Sequence, residues 1–358
     1  PNPTIGVEIE LQLIDDNTLD LKNISSKVLA DIDKKFCNRM KYELFESMIE
    51  INTDICSTIE EVDGDIKQTL RHLEEVLKNY NASINCSSLH PFARGKNQII
   101  SNDSRYKRIM NDLQIIGTRF ITQGLHVHIG IDECEKVIKV NNALRIYLPL
   151  LLALSTSSPF YEGEDTGLYS YRTKIFESLP LAGMPDYLNN WDHFTNITEN
   201  LIKADVIKSV KDLWWEVRPH PGFGTVEVRV CDIPVNLIQI LALIALIQAL
   251  VVTIQNLDKY PDTHIQILES NKWQAVRYGL EGTFIDPLTL KQLPIKKAIE
   301  DLCNLIEPVM VSLGSAKYVR VIEEILIHGT GASQKRDIFK KSGKFEYMIK
   351  SMKERFYQ

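Results

Sequence analysis

Several short segments of this chain set acids, imidazoles and arginines at alternate positions among Val, Ile and Leu. Gly6-Val7-Glu8-Ile9-Glu10 places Glu8 and Glu10 two residues apart. On a strand, the period of two turns both carboxylates to one face and Ile9 to the other. Gly124-Leu125-His126-Val127-His128 does this with two imidazoles, and Thr225-Val226-Glu227-Val228-Arg229 with a carboxylate and a guanidinium. Residues 42–52 add Glu43, Glu46 and Glu50. Read as one strand, Glu46 and Glu50 share a face, and Glu43 joins them only across a bulge or a helical stretch. A lone E-x-E is equally well explained by a solvated strand face. The segments together describe a sheet with one dry face and one charged, concave face.

Adjacent carboxylates repel unless water or a cation neutralises them. Oxygen-rich clusters suit Mg²⁺ or Mn²⁺, and imidazole on the same surface leans towards Mn²⁺ or a mixed site. No H-E-x-x-H segment points to catalytic zinc. Arg218 in Trp214-Trp215-Glu216-Val217-Arg218-Pro219, Arg229, and Arg172 in Ser170-Tyr171-Arg172-Thr173 are cations suited to clamp phosphate or carboxylate oxygens. Taken singly, each is equally well a surface ion pair. Metal-bearing acids with arginines are the apparatus of phosphoryl transfer, which is catalysed mostly by positioning and charge neutralisation. No Walker A sequence is present, and Gly222-Phe223-Gly224 reads as a turn rather than a phosphate loop.

The elements that must hold these side chains follow from the pattern. Strands are expected at 4–14, 42–52, 124–132 and 225–231. Ser57-Thr58-Ile59-Glu60 resembles a capping box, opening an amphipathic helix with Ile59, Val62, Ile66, Leu70, Leu73 and Leu77 on one side. A long buried helix is expected over 135–155, bent or interrupted at Pro149. Residues 163–190, rich in Gly, Pro, Asp and Tyr, read as an ordered irregular functional loop. Helices with short connections follow from about Ile265. Residues 237–257 carry no charge and are long enough to span a bilayer. Gln239, Gln248 and Gln255 interrupt them and no second span is evident, so a helix buried against the sheet is expected and no membrane partner. Strands and helices do not alternate as βαβ units, which predicts an α+β fold with an antiparallel sheet. No linker divides residues 1–358, which read as a single domain.

Composition sets the outer bounds. Hydrophobic residues at 44% and charged residues at 25% are ordinary for a soluble globular protein. The net charge of −6, with only short basic clusters such as Lys335-Arg336 and Lys340-Lys341, predicts no nucleic-acid partner. None of the six cysteines forms a CxxC pair, which fits a reducing compartment and a cytoplasmic location. Pro1-Asn2-Pro3 runs into strand-like residues without the charged and apolar regions of a leader, so no secretory signal is expected.

Taken in order, these segments resemble the glutamate–cysteine ligase type 2 family, also called carboxylate–amine ligases. The resemblance runs from Gly6 to about Arg336. It includes Glu43 with Glu50-Ile51-Asn52-Thr53, Leu148-Pro149-Leu150 with Ser158-Pro159-Phe160, Asp165-Thr166-Gly167 with Tyr171-Arg172-Thr173, Asn271-Lys272-Trp273 with Arg277-Tyr278-Gly279, and Gly329-Thr330-Gly331-Ala332. Its most specific part is Val217-Arg218-Pro219-His220-Pro221-Gly222-Phe223-Gly224-Thr225-Val226-Glu227-Val228-Arg229.

The resemblance implies a fold like that of glutamine synthetase and the guanidino kinases: a curved antiparallel β-sheet forming a funnel, backed by helices. It puts Glu8, Glu10, Glu43, Glu50, His126 and Glu227 at metal-ligand positions. His128, on the face of His126, either ligates metal itself or supports a ligand. Arg218 and Arg229 become the catalytic pair on the transferring phosphate, and Arg172 a contact to the substrate carboxylate. The implied reaction uses ATP and Mg²⁺, with Mn²⁺ as the alternative. It joins glutamate or a similar carboxylate to an amine such as cysteine through an acyl phosphate, releasing ADP and phosphate. The family also suggests a homodimer. A phosphotransferase, or a non-catalytic protein that binds Mg-ATP, are the alternatives on the same fold. Ile9 stands where the family often has a third acid, Gly222 where arginine is common, and Thr330 and Ser333 where Asn and Asp are usual. These departures bear on substrate identity more than on chemistry.

Overall fold

Alternating apolar residues make β1 (Ile5–Asp15) the centre of a seven-stranded antiparallel sheet. The computed structural model describes residues 2–357. The strands lie in the order β2 (Met40–Tyr42), β3 (Met48–Asn52), β1, β5 (Leu125–Gly130), β7 (Thr225–Val228) and β6 (Val217–His220). The edge of β1 that pairs with β5 as far as Ile9 passes to β4 (Ala82–Asn85) from Gln12 onward.

Register decides which side chains meet, because residues directly opposite on antiparallel strands share a face. Glu8 lies opposite His126, Glu10 opposite Glu50, Lys41 opposite Glu50, His128 opposite Glu227, and Glu227 opposite Arg218. All of these project from one face. Val7, Ile9, Leu11, Ile49, Ile51, Leu125, Val127, Val226 and Val228 occupy the other and join a single apolar core with the helices behind.

That core is closed by α1 (Ile59–Lys78), α3 (Cys134–Ser155) and α5 (Leu237–Asn256). Helix α2 (Ser104–Leu113) and the short α4 (Tyr171–Phe176) flank the polar face, α6 (Ile265–Tyr278) packs on α3 and adds Leu268, Ala275 and Val276 to the core, and α7 (Gly331–Ser342) carries the buried Lys335. Helices α3 and α5 are both long and apolar enough to cross a membrane, and both are mostly buried inside the protein. The expectation for α5 therefore holds, while α3 is a second segment of that kind. All six cysteines are unpaired.

Some local expectations change. The cap of α1 is shifted by one residue: Thr58 Oγ1 accepts from the Glu61 N–H, and the Glu61 carboxylate accepts from Ser57 N at 2.6 Å. Helix α3 runs unbroken through Pro149, forgoing one hydrogen bond. Residues 163–190 are not wholly irregular, because Ser170 caps α4, which carries Arg172. Strand β6 was not anticipated around Pro219. It is an edge strand, where a missing N–H is tolerated.

Ile9 is 2% exposed on the apolar face. Ile9→Ala is expected to cost about 2–5 kcal/mol through lost transfer energy and an unfilled cavity. Urea unfolding should show a lower midpoint at unchanged slope; an unchanged midpoint would contradict this assignment of faces.

Candidate functional site

The polar face carries two groups of acids. In the first, ligand oxygens of Glu10, Glu43 and Glu50 all lie within 4.8 Å of one another. Register supplies Glu10 and Glu50. Glu43 arrives because residues 43–47 leave strand geometry and bury Leu44 and Phe45 instead. The same turn points Glu46 away, where its carboxylate accepts from Ser25 Oγ at 3.1 Å and Ser26 N at 2.8 Å at the start of the helix Ser25–Ala30. The expected pairing of Glu46 with Glu50 is therefore overturned, since 42–52 is not one strand. Glu10 accepts from the Gly124 N–H at 2.6 Å, Glu50 from Asn52 Nδ2 at 2.8 Å and Lys41 Nζ at 3.2 Å, and Glu43 from the Tyr106 hydroxyl at 3.4 Å.

Burial pushes the Glu10 carboxyl up to about 7 against the pull of Arg172. Burial and the charge of Glu50 hold the Glu43 carboxyl well above its usual range, and burial with the charge of Glu8 raises Glu50. Three carboxyls that resist ionising together are neutralised by a divalent cation, and an all-oxygen donor set fits Mg²⁺ or Mn²⁺.

The second group is Glu8, His128 and Glu227, again with ligand atoms within 4.8 Å. Burial raises the Glu8 carboxyl, but His126 and His128 outweigh it and hold the group well below the carboxylate range. Burial of Glu227 is likewise outweighed by Arg229 and Arg218. His128 Nδ1 lies 3.0 Å from Thr225 Oγ1. Its Nε2 is buried without a hydrogen-bond partner, 3.7 Å from Glu8 and 3.9 Å from Glu227. With Nδ1–H donated to Thr225, Nε2 presents a lone pair to the carboxylates, an orientation suited to metal. His126 stands beside this group, with Nδ1 at 3.2 Å from Glu8 Oε2; burial and Arg229 lower its pKa. The structure thus brings His128 into the close triplet and leaves His126 adjacent to it.

The arginines differ in what they hold. Arg218 donates Nε–H to Glu227 at 2.7 Å, and its Nη1 reaches the carbonyls of Val210, Lys211 and Leu213 at 3.1, 3.2 and 2.7 Å. Arg229 pairs with the same carboxylate through Nη1, while its buried Nε has no partner. Arg172, 4% exposed, donates to the carbonyls of Val230 and Arg229, both at 3.3 Å. A Cβ on Gly124 would collide with Arg172 Nη2, so this glycine allows the close approach. All ten expected site residues line one cavity. Lys41, Tyr106, His220 and Trp214 line it too and were not anticipated. For Lys41 the signal was available only through its cross-strand partner Glu50.

The fold and site define an acid- and arginine-lined cavity on an antiparallel sheet, and the chain and its fold match known proteins. A model of glutamate–cysteine ligase family 2 matches residues 4–354. Relatives bearing the name "Putative glutamate--cysteine ligase 2" include that of Gloeobacter violaceus, 39% identical over 351 residues (95% of this chain, 93% of the relative). That of Solibacter usitatus is 36% identical over 361 residues (98% and 93%). Among solved structures, glutamate–cysteine ligase from Francisella tularensis in complex with AMP has a TM-score of 0.76 at 14% identity, covering 99% of this chain and 88% of that one. A bifunctional glutathione synthetase from Pasteurella multocida has a TM-score of 0.74 at 14% identity, covering 99% and 52%. At that identity they establish the fold alone. The chain belongs to glutamate–cysteine ligase family 2 and is, with it, an ATP-dependent carboxylate–amine ligase.

Two measurements test the acid groups. Glu43→Gln replaces a carboxyl whose ionisation the fold resists, so without divalent cation its Tm should exceed that of the unsubstituted protein increasingly as pH rises. A hundredfold excess of Mg²⁺ or Mn²⁺ over Kd should stabilise the unsubstituted protein by about 2.7 kcal/mol, and the variant far less. An equal shift in both excludes Glu43 from a metal group. In chelator, a carboxyl raised by folding favours the native state only while protonated. The Glu10 contribution is therefore lost as pH rises from 4.5 through about 7. Denaturation across that range should find Glu10→Gln gaining stability over the unsubstituted protein with rising pH; a gap that narrows contradicts the assignment.

Proposed function

We propose that this chain, acting as one catalytic domain, activates glutamate or a similar carboxylate with ATP and transfers the acyl group to an amine such as cysteine. The observation that carries the reading is the placement of two acid groups and three arginines around one cavity over one sheet face. Glu10, Glu43 and Glu50, and Glu8, Glu227 and His128 with His126 beside them, are the residues to hold Mg²⁺ or Mn²⁺. Bound there, the ions neutralise phosphate oxygens and favour charge transfer at phosphorus. Arg172 holds the substrate carboxylate. The free Nε of Arg229 faces developing phosphate charge, and Arg218, whose donors are largely engaged with the protein, contributes mainly its charge and the orientation of Glu227. The substrate carboxylate oxygen attacks the γ-phosphorus, the bond to the ADP oxygen breaks, and an acyl phosphate forms. The amine then attacks the acyl carbon and gives up one proton, the C–O bond breaks, and phosphate leaves carrying that proton as the amide forms.

Mass spectrometry after incubation with ATP, Mg²⁺, glutamate and a panel of amines should find an amide with stoichiometric ADP and phosphate. Glu227→Gln should lower the rate by at least about 100-fold, the scale of losing one group that organises transition-state charge. A stable phosphorylated product without amide turns the reading to a phosphotransferase. Mg-ATP binding in calorimetry with no product from any amine turns it to a non-catalytic protein that binds Mg-ATP.

A further inference from the structure

Behind Arg172 lies a buried polar network that the two acid groups do not use. Asp232 is fully buried at its centre. Its Oδ2 accepts from the Ser157 N–H at 2.9 Å and the Ser158 hydroxyl at 2.7 Å, and its Oδ1 from the Ser170 hydroxyl at 2.9 Å. The two serine hydroxyls lead to Arg172. The Arg172 N–H donates to Ser158 Oγ at 3.2 Å, and Ser170 is the N-cap of the helix on which Arg172 sits. Arg172 Nη1 itself stands 3.9 Å from Oδ1.

The same stretch holds the guanidinium from behind. Nη1 donates to the carbonyl of Val230 and Nη2 to that of Arg229. Four consecutive residues, 229–232, therefore carry one arginine of the site and grip another. Charge is balanced from the far side. The Lys335 ammonium lies 2.6 Å from the Ser157 carbonyl and 2.5 Å from Ser87 Oγ, so the Ser157 peptide donates to Asp232 and accepts from Lys335. A buried carboxylate between two cations with its oxygens hydrogen-bonded is a rigid element, because leaving any member unpaired costs its full desolvation.

We propose that Asp232 is a positioning residue that fixes the Arg172 guanidinium, relative to Arg229, for the substrate carboxylate. This rests on the reading of Arg172 given above. Asp232→Asn is close to isosteric. The asparagine oxygen, in the place of Oδ2, keeps two acceptor bonds, and the Ser170 hydroxyl can rotate to accept from Nδ2 in the place of Oδ1. The substitution thus removes the charge facing Arg172 with little loss of packing.

Calorimetric titration of L-glutamate into protein saturated with a non-hydrolysable Mg-ATP analogue reads the effect without turnover. Asp232→Asn is expected to weaken glutamate binding about tenfold, the scale of one charged hydrogen bond, with affinity for the nucleotide analogue within twofold. A purely structural role would lower Tm and the active fraction and leave glutamate affinity of the folded fraction unchanged, which overturns the proposal. Arg172→Lys and the double variant complete a cycle. Equal glutamate affinity in Arg172→Lys and the double variant supports action through Arg172, and additive losses overturn it. Glutamate binding unaffected by Arg172→Lys sinks the carboxylate reading of Arg172 and the proposal with it, whereas loss in Arg172→Lys but not in Asp232→Asn sinks the proposal alone. Where Asp232→Asn fails to fold, Ser170→Ala, which removes one hydroxyl and no charge, should weaken glutamate binding with unchanged nucleotide affinity; unchanged glutamate binding there also overturns it.

Discussion

Electrostatic repulsion among carboxylates crowded on one sheet face is the constraint on which the rest of this structure depends. Glu8, Glu10, Glu43, Glu50 and Glu227 face one cavity, and burial makes each charge there more costly than in water. The protein resolves the repulsion unevenly. Glu8 and Glu227 stand beside imidazoles and arginines and remain ionised, while Glu10, Glu43 and Glu50 are left with too little positive charge and favour protonation. Such crowding destabilises the fold, and a cation bound among these acids would relieve it. The apolar face supplies the compensation. The strands that carry these acids bury Val7, Ile9, Ile51, Val127 and Val228 against α1, α3 and α5, each worth about 1.5–3 kcal/mol of transfer energy.

Antiparallel register converts this constraint into a site. A one-residue slip of β1 against β5 would send Glu8 and Glu10 into the core and Ile9 into the cavity. The buried apolar face forbids the slip, so the hydrophobic core and the polar site specify each other. Glu227 shows how tightly. It is opposite His128 on one side and Arg218 on the other, and it also pairs with Arg229, two residues further along the chain and just past the end of β7. One carboxylate thereby sets two guanidiniums and faces one imidazole, and Arg218 passes the order on to the carbonyls of residues 210–213.

How much of this was legible depended on the range over which each signal acts. Alternation is local, so the strands bearing Glu8, Glu10, His126, His128, Glu227 and Arg229 and their one-sided chemistry could be read directly, as could the amphipathic α1. The partition into two groups could not, since it needs register: His128 joins Glu8 and Glu227 only because β5 lies between β1 and β7. Glu43 and Glu46 were separable only by a turn driven by burial of Leu44 and Phe45, a tertiary effect that overrides strand period. Strand β6 was hidden by Pro219, whose local signal argues against a strand and whose edge position removes the objection. The roles of the acids and arginines came from resemblance to a family, while their geometry comes from the fold.

The least legible part is the support of Arg172, and it shows what a sheet cannot do alone. Arg172 is not on the sheet but on a six-residue helix, too short to be stable by itself. Its guanidinium must nevertheless reach the face between His126 and Glu10. Three features make that possible. Gly124 leaves room that any side chain would fill, and its N–H is already used by Glu10. The 229–230 carbonyls receive the guanidinium, and Asp232 fixes the serines at both backbone contacts of the helix start. The rigid strand therefore extends its order to a residue outside it.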